Sequence, residues 1–94
     1  MDIYELTVVI DGRATAAKKK AMVGLVEKII KVVGGKVIKK DDWGVKDFAY
    51  PIGKFNSGNY IFFELELGTD KVKDINQKLV IEEDILRFLI VKGK

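Results

Sequence analysis

The hydrophobic period of this chain alternates between that of a strand and that of a helix, and the order of these changes restricts the fold more than any other feature. Residues Ile3 to Ile10 alternate with period two, which predicts a half-buried strand. The predicted inward face carries Tyr4, Leu6, Val8 and Ile10, and the outward face carries Glu5 and Thr7. After the Asp11-Gly12 turn, apolar residues at helical spacing predict a helix from Ala14 to Val33, which Gly34-Gly35 ends.

The second half of the chain repeats this change of period. An extended segment from Lys36 to Ile52 is interrupted at Gly44, where we expect a bulge or kink, and Gly53 to Gly58 has the composition of a loop. The remaining predicted elements are a strand Asn59–Leu67, a helix that begins with an N-cap in Gly68-Thr69-Asp70 and ends near Leu79 or Val80, and a strand Ile85–Val91.

The order strand, helix, strand, strand, helix, strand predicts an α+β fold. We expect residues 1–94 to form one domain, a ferredoxin-like plait (βαββαβ) whose four-stranded antiparallel sheet has two helices on one face. The other sheet face is left open. Its predicted residues are Glu5, Thr7, Tyr60, Phe62, Glu64, Glu66 and Arg87. Arg87 is open to two interpretations, an ion pair with an acidic cross-strand neighbour or a contact with RNA.

Composition excludes several classes of function. The chain has no cysteine and no histidine, which removes thiol and imidazole chemistry, the usual zinc sites and disulfides. Most enzymes are harder to build without these groups, and we expect no metal and no cofactor; the expectation of no enzyme and no small-molecule substrate follows from the family resemblance given below. No apolar run approaches the roughly 20 residues of a membrane span, and the amino terminus lacks the pattern of a secretory signal, so we expect an intracellular protein that does not enter membranes.

The charge of the chain favours an anionic partner. The formal net charge is +3, and lysine supplies nearly all of the 17 basic residues. Lysine acts as a point charge for phosphate, whereas arginine gives a planar fork. A lysine-rich composition is also common in proteins that bind no nucleic acid.

The segment Gly44 to Ile52 has the composition of an edge strand that contacts a partner. Tyr50 precedes the only proline and is pushed towards extended geometry, while Pro51 lacks a backbone donor and suits an edge strand or a strand end. One interpretation is an edge protected against aggregation, and the other is a docking edge for a second protein. Trp43 lies beside the bend, where it would cover the core edge or pack into a partner.

Four parts of the chain together resemble the small-subunit ribosomal protein six family of bacteria. The first is the second-strand segment, whose matching positions are Gly44, Lys46, Asp47, Ala49, Tyr50, Pro51 and Ile52. The others are Met1 to Glu5, Gly34-Gly35 ahead of a strand, and Leu86 to Lys92. The resemblance implies the plait, and it implies a structural protein of the cytoplasmic ribosome that binds the central domain of 16S rRNA together with ribosomal protein eighteen.

The resemblance also implies which residues make the contacts. It places rRNA binding at Tyr4, Lys46, Lys54, Arg87 and Lys92. We expect the partner-protein edge at Trp43, Phe48, Tyr50 and Pro51, and the resemblance supports this docking edge at Tyr50 and Pro51.

Two other functions occur on the same topology. An RNA-recognition motif stacks bases on aromatic residues of its third strand, and Gly58 to Leu65 has a partial likeness to its signature. The likeness fails at Asn59, Ile61 and Leu65. An acylphosphatase-like hydrolase needs an arginine in a glycine-rich loop after the first strand, and Arg13 has no such loop around it.

Three charged clusters complete the set of candidate sites. Lys18-Lys19-Lys20 near the start of the first helix fits either phosphate binding or a solvated helix face. For Lys39-Lys40 and Asp41-Asp42 we expect mutual compensation at the surface, and for Glu82-Glu83-Asp84 we expect a solvated turn in place of a metal site.

Overall fold

The chain folds into four strands and two α-helices in the predicted order. The structure is a computed structural model that describes residues 2–93, except for the side chains of Pro51 and Ile52. Its elements are β1 (Asp2–Asp11), α1 (Ala16–Val32), β2 (Lys36–Ile52), β3 (Phe55–Leu67), a 3₁₀ turn (Thr69–Lys71), α2 (Val72–Val80) and β4 (Ile85–Lys92).

The strands form one antiparallel sheet in the order β2-β3-β1-β4. Both central strands are therefore paired on two sides, whereas β2 and β4 are the edges. Each helix connects two strands that are separated in the sheet by a third strand. Helix α1 joins β1 to β2, and α2 joins β3 to β4. This is the split arrangement of the ferredoxin-like plait. The predicted fold class is confirmed.

The core lies between one face of the sheet and the two helices. Phe63, Leu6 and Leu65 come from the central strands, Ile30 comes from α1 and Ile75 from α2, and all five are fully buried. Alternation along β1 puts its even-numbered apolar residues on this face, as the sequence predicts. The opposite sheet face carries no helix.

Local hydrogen bonds define both ends of the first helix. The hydroxyl of Thr15 accepts a hydrogen bond from the Lys18 amide at 3.1 Å, which caps the amino end. At the other end Gly34 has a φ of 85°, and the Gly35 amide donates to the Ile30 carbonyl at 2.8 Å. The predicted stop at this glycine pair is confirmed.

The expected N-cap of the second helix is wrong. The Thr69 hydroxyl donates to the Asp2 carboxylate at 2.6 Å, and α2 begins after the 3₁₀ turn without a side-chain cap. Thr69 therefore connects the 3₁₀ turn to β1, because its hydroxyl bonds the carboxylate of Asp2 instead of a backbone amide at the start of the helix. Helix α2 ends at Val80, within the predicted range.

The expected loop from Gly53 to Gly58 is also wrong. Ile52 pairs with Phe55, so only Gly53 and Lys54 form the turn, and β3 begins eight residues before its first fully buried phenylalanine. Gly53 has a φ of 58°, which suits the first position of a two-residue hairpin loop. The polar and small residues of this segment resemble those of a loop, because this part of the hairpin extends beyond the last pair of β1 with β3, Asp11 with Gly58, and is paired on one side only.

Within residues 2–93, neither helix is both long and apolar enough to cross a membrane.

Candidate functional site

The sheet face without helices, which we call the open face, carries some of the predicted functional residues. Cross-strand pairing puts Val9, Tyr60 and Arg87 in one row and Thr7, Phe62 and Leu89 in the next. Directly paired residues of antiparallel strands point to the same side. The predicted outward positions of β1 and β3 are thereby confirmed.

Four aromatic side chains, Trp43, Phe48, Tyr60 and Phe62, form an aromatic cluster on this face. The rings of Trp43 and Phe62 stack with centroids 5.2 Å apart and planes 8° from parallel. Phe48 meets Tyr60 edge to face at 6.5 Å. Both geometries are favourable for aromatic pairs, so the edge strand β2 is held to β3 by side chains as well as by backbone hydrogen bonds.

Lys46 is the basic residue of this cluster. Its Nζ lies 5.7 Å from the Trp43 ring centroid and 5.7 Å from the Tyr60 centroid. A cation within about 6 Å of an aromatic face is attracted to it. Lys46 forms no ion pair with any described residue in the range 2–93, so its charge remains available to an anion.

Gly58 explains where Phe48 lies. A Cβ at Gly58 would stand 2.8 Å from Cζ of Phe48 and 2.5 Å from Cγ1 of Val9. The missing side chain therefore lets the Phe48 ring lie across β3 beside Tyr60. Val9 is buried although it belongs to the open face, which is a packing feature that the alternation of β1 alone does not indicate.

A bulge places Trp43. The register of β2 against β3 shifts between Asp42 and Gly44, where Gly44 has a φ of 79°. The Asp42 carboxylate accepts a hydrogen bond from the Gly44 amide at 2.8 Å and also an ion-paired hydrogen bond from Lys19 of α1. These bonds, with that of Lys19 the larger, lower the pKa of Asp42 below its usual value. The predicted bulge near Gly44 is confirmed.

The predicted rRNA contacts lie in four different locations. Lys46 and Arg87 lie on the open face, and Lys54 lies in the hairpin turn with its Nζ 5.8 Å from the Phe55 ring. Lys92 lies towards the opposite end of the sheet, 3.7 Å from the Asp2 carboxylate. Tyr4 is a core residue with 6% of its side chain exposed. Lys46 and Arg87 therefore share the open face, on its two edge strands, while Lys54, Lys92 and Tyr4 lie elsewhere.

Buried Tyr4 corrects the expectation that its ring is a surface contact. Its position follows from alternation, because an even position of β1 faces the helices. The periodicity of the sequence already indicated this burial, whereas the resemblance suggested exposure.

The predicted partner-protein edge lies on β2, which is an edge strand as expected. Tyr50 is 86% exposed and Trp43 is 47% exposed, while Phe48 is half-buried by its contact with Tyr60. Pro51 belongs to β2, but its side chain lies outside the described part of the structure. Tyr50 is thus the most accessible large apolar group of this edge.

Of the two interpretations of Arg87, the structure does not show the cross-strand ion pair within residues 2–93. The cross-strand neighbour of Arg87 on β1 is Val9, and within residues 2–93 no carboxylate pairs with its guanidinium.

Arg13 is the only candidate for binding phosphate in a hydrolase. Its backbone amide donates to the Asp11 carboxylate at 2.9 Å, and its Nε donates to the same oxygen. Those bonds, the amide's being the larger, lower the pKa of Asp11.

The lysine clusters are mostly engaged with acids. Lys18 pairs with Asp84 at 2.8 Å, and Lys39 pairs with Asp41 at 3.4 Å. Lys40 pairs instead with Glu27 of α1 at 3.5 Å. The predicted mutual compensation within residues 39–42 is therefore correct for Lys39 and Asp41. Lys40 and Asp42 instead form ion pairs with Glu27 and Lys19, which connect β2 to α1. Among the residues that the structure describes, no cluster of acidic side chains could hold a metal ion.

Leu89 and Val91 are open-face residues that the sequence did not indicate. They are 62% and 43% exposed, yet they belong to an unbroken apolar run that looks like a buried strand. The outward position of Arg87 was the available signal, because residues at period two from it share its face.

The fold places this chain in the class of ferredoxin-like α+β domains. A family model described as Ribosomal protein S6 matches residues 3–92. The chain belongs to the ribosomal protein S6 family. The family is not enzymatic, which confirms that prediction, and the expected cytoplasmic, ribosome-associated location is confirmed at the level of the family.

Individual relatives agree with this assignment. Small ribosomal subunit protein bS6 of Clostridioides difficile is 33% identical over 88 residues, which cover 94% of this chain and 95% of that protein. The bS6 protein of Rickettsia canadensis is 34% identical over 93 residues, covering 99% of this chain and 77% of that one. The crystal structure of 30S ribosomal protein S6 from Thermotoga maritima superposes with a TM-score of 0.90 at 26% identity, covering 98% and 87% of the two chains.

Proposed function

We propose that this chain binds the central domain of 16S rRNA in the small ribosomal subunit, together with ribosomal protein eighteen. The observation that carries the proposal is the position of Lys46, whose ammonium group lies 5.7 Å from the ring centroids of Trp43 and Tyr60 and forms no ion pair with any residue in the range 2–93. Arg87 on the same face and Lys54 at the hairpin turn add two further cations without a described ion pair among residues 2–93. Such groups neutralise phosphates and position a protein on RNA.

The partner protein would complete the RNA-binding surface. Exposed Tyr50 and Trp43 give the β2 edge an apolar contact area beside the cationic residues. Tyrosine and tryptophan are enriched among the residues that dominate binding at protein interfaces. A second protein that covers this edge would bring its own basic groups next to Lys46.

Packing of the aromatic cluster argues against a free RNA-recognition motif. Trp43 already stacks on Phe62, and Phe48 packs against Tyr60. The two third-strand aromatic rings are therefore occupied by residues of the same chain, whereas base stacking requires free ring faces. Recognition through phosphates and shape suits this face better.

The test measures affinity for a central-domain 16S rRNA fragment by fluorescence anisotropy at several salt concentrations. We expect weak, salt-dependent binding by the chain alone and tighter binding when ribosomal protein eighteen is present. Lys46→Ala should weaken binding and reduce the slope of log K against log salt by about 1, as loss of one phosphate contact does. Lys73→Ala, an exposed lysine on α2, is the matched control and should leave the slope unchanged.

Two results would count against the proposal. Equal RNA affinity with and without ribosomal protein eighteen would remove the cooperative part. Identical slopes for the wild type and Lys46→Ala would remove the Lys46 face from the RNA interface.

A further inference from the structure

Trp43 and Lys46 lie on the same face of the sheet although they are three positions apart on β2. Side chains of a regular strand alternate between the two faces, so residues at an odd separation point to opposite sides. The Lys46 ammonium group nevertheless lies 5.7 Å from the centroid of the Trp43 ring, which itself stacks on Phe62 of the open face. The alternation of β2 therefore changes between these two residues.

The bulge at Gly44 is the place of this change. From Asp42 to Gly44 the chain advances two positions on β2, while the paired residues on β3 advance by one. Trp43 is the extra residue, and it lies on the same face as its neighbour Gly44. Lys46 follows Gly44 by two positions and therefore lies on the open face as well.

Asp42 holds the bulge from the other side of the sheet. It stands opposite Ile61, a core residue, so its carboxylate is on the face that carries α1. One carboxylate oxygen accepts a hydrogen bond from the Gly44 amide at 2.8 Å, and the other bonds the Lys19 ammonium group of α1. The side of the sheet that carries the helices thus fixes the backbone geometry that decides where Lys46 points.

We propose that Asp42 is a positioning residue for RNA binding, which acts by holding the bulge that keeps Lys46 beside Trp43 on the open face. A cation whose direction is already fixed loses less side-chain freedom when it binds a phosphate. The inference rests on the proposed function and adds a residue that does not touch the RNA. Its expected effect is opposite to that of its charge, because a carboxylate by itself repels phosphate.

Asp42→Ala and Asp42→Asn separate position from charge. Both remove the same negative charge, but only asparagine keeps an oxygen that can accept the Gly44 amide. Affinity for the central-domain 16S rRNA fragment is measured by fluorescence anisotropy with the chain alone. We expect Asp42→Ala to bind about tenfold more weakly at about 0.1 M salt and to lower the slope of log K against log salt by about 1, as Lys46→Ala does. Asp42→Asn should bind at least as tightly as the wild type.

Two further variants test the bulge and the charge one at a time. Gly44→Ala strains the bulge without changing charge, because Gly44 has a φ of 79° while nothing lies within 4 Å of its Cβ position. It should weaken RNA binding in the same way, and it carries the test if Asp42→Ala does not fold. Asp47→Ala is the matched control, since Asp47 lies on β2 and makes no ion pair or side-chain hydrogen bond with residues 2–93. It should not weaken binding.

A double variant tests whether Asp42 acts through Lys46. In the Lys46→Ala background, Asp42→Ala should cause no further loss of RNA affinity, because the cation that it positions is absent. Trp43 emission gives a readout that a general loss of stability would not change. At a temperature where circular dichroism shows wild-type helix content for every variant, the emission should shift in Asp42→Ala and stay unchanged in Asp42→Asn.

Three results would overturn the positioning role and leave the proposed function intact. The first is a wild-type affinity and salt slope for Asp42→Ala and Gly44→Ala. The second is equal weakening by Asp42→Ala and Asp42→Asn, which would remove the hydrogen bond to Gly44 from the explanation. The third is a further loss of affinity in the double variant. A wild-type slope for Lys46→Ala, or no RNA binding by the wild type, defeats the proposed function itself, and the positioning role fails with it.

Discussion

Gly58 has a role at residue scale that only its tertiary neighbours reveal. It is buried on β3 between Val9 of β1 and the Phe48 ring of β2. Any side chain here must displace one of them, and Val9 is itself buried. The arrangement of the aromatic cluster consequently depends on a residue that has no side chain.

Gly58→Ala should destabilise the fold. The added Cβ would lie 2.5 Å from Val9 Cγ1 and 2.8 Å from Phe48 Cζ, and overpacking of this kind costs about 1–3 kcal/mol. Gly24→Ala is the control, since nothing lies within 4 Å of its Cβ position on α1. It should stabilise the chain by about 0.5–1 kcal/mol because alanine favours a helix interior. Free energies of unfolding from urea titration check both values, and a neutral Gly58→Ala would contradict the packing argument.

At the scale of elements, the edge strand β2 is fixed to α1 as well as to β3. Lys19 and Lys40 connect across this boundary with Asp42 and Glu27. Asp42 also accepts the Gly44 amide, so one carboxylate supports both the bulge and the packing of helix against strand. The position of Trp43 follows from that support.

Asp42 should contribute to the acid stability of the fold. Hydrogen bonds from Lys19 and the Gly44 amide lower its folded-state pKa below the ordinary 3.8. A lowered pKa means that the contribution is present above the unfolded value and is lost as pH falls through the folded value. As pH falls below about 4, the wild type should therefore lose stability more steeply than Asp42→Asn.

Urea unfolding at a series of pH values measures this difference. Asp47→Asn is the matched control, because Asp47 also lies on β2 and makes no ion pair or side-chain hydrogen bond with residues 2–93. Parallel pH profiles for the wild type and Asp42→Asn would show that the carboxylate carries no acid-dependent stability.

At the scale of the whole molecule, one core joins the helices to the sheet, while the long β2–β3 hairpin extends past the end of β1. The open face of the sheet carries Lys46 and the aromatic cluster at one end and the pair Glu5 and Glu64 nearer the other. Its two edges differ as well, since β2 carries the aromatic cluster's tryptophan and β4 carries exposed aliphatic groups.

The isolated chain should unfold in one cooperative transition. Trp43 is the only tryptophan, and its stacking on Phe62 makes its fluorescence a probe of the open face. Far-UV circular dichroism reports the helices on the other side. Because the residues of both faces share the same central strands, the two signals should have the same urea midpoint. A lower midpoint for fluorescence would mean that the hairpin unfolds separately.

Much of this architecture could be predicted from sequence, for reasons that are local. Alternation fixed which residues of β1 and β3 face the helices, and apolar spacing located both helices within a few residues. Gly44 and Gly34 marked the bulge and the helix stop because both adopt positive φ. The segment around Lys46 and Tyr50 also identified the family and an edge strand.

The tertiary structure decided what depends on neighbours distant in sequence. Val9 is buried although it belongs to the open face, Thr69 bonds Asp2 instead of capping a helix, and Lys19 pairs with Asp42 across elements. The opposition of Glu5 and Glu64 exists only in the register of β1 against β3. Periodicity assigns a residue to a face because it is a property of one segment. Which residue stands beside it depends on strand order and register, and these are set by packing of the whole chain.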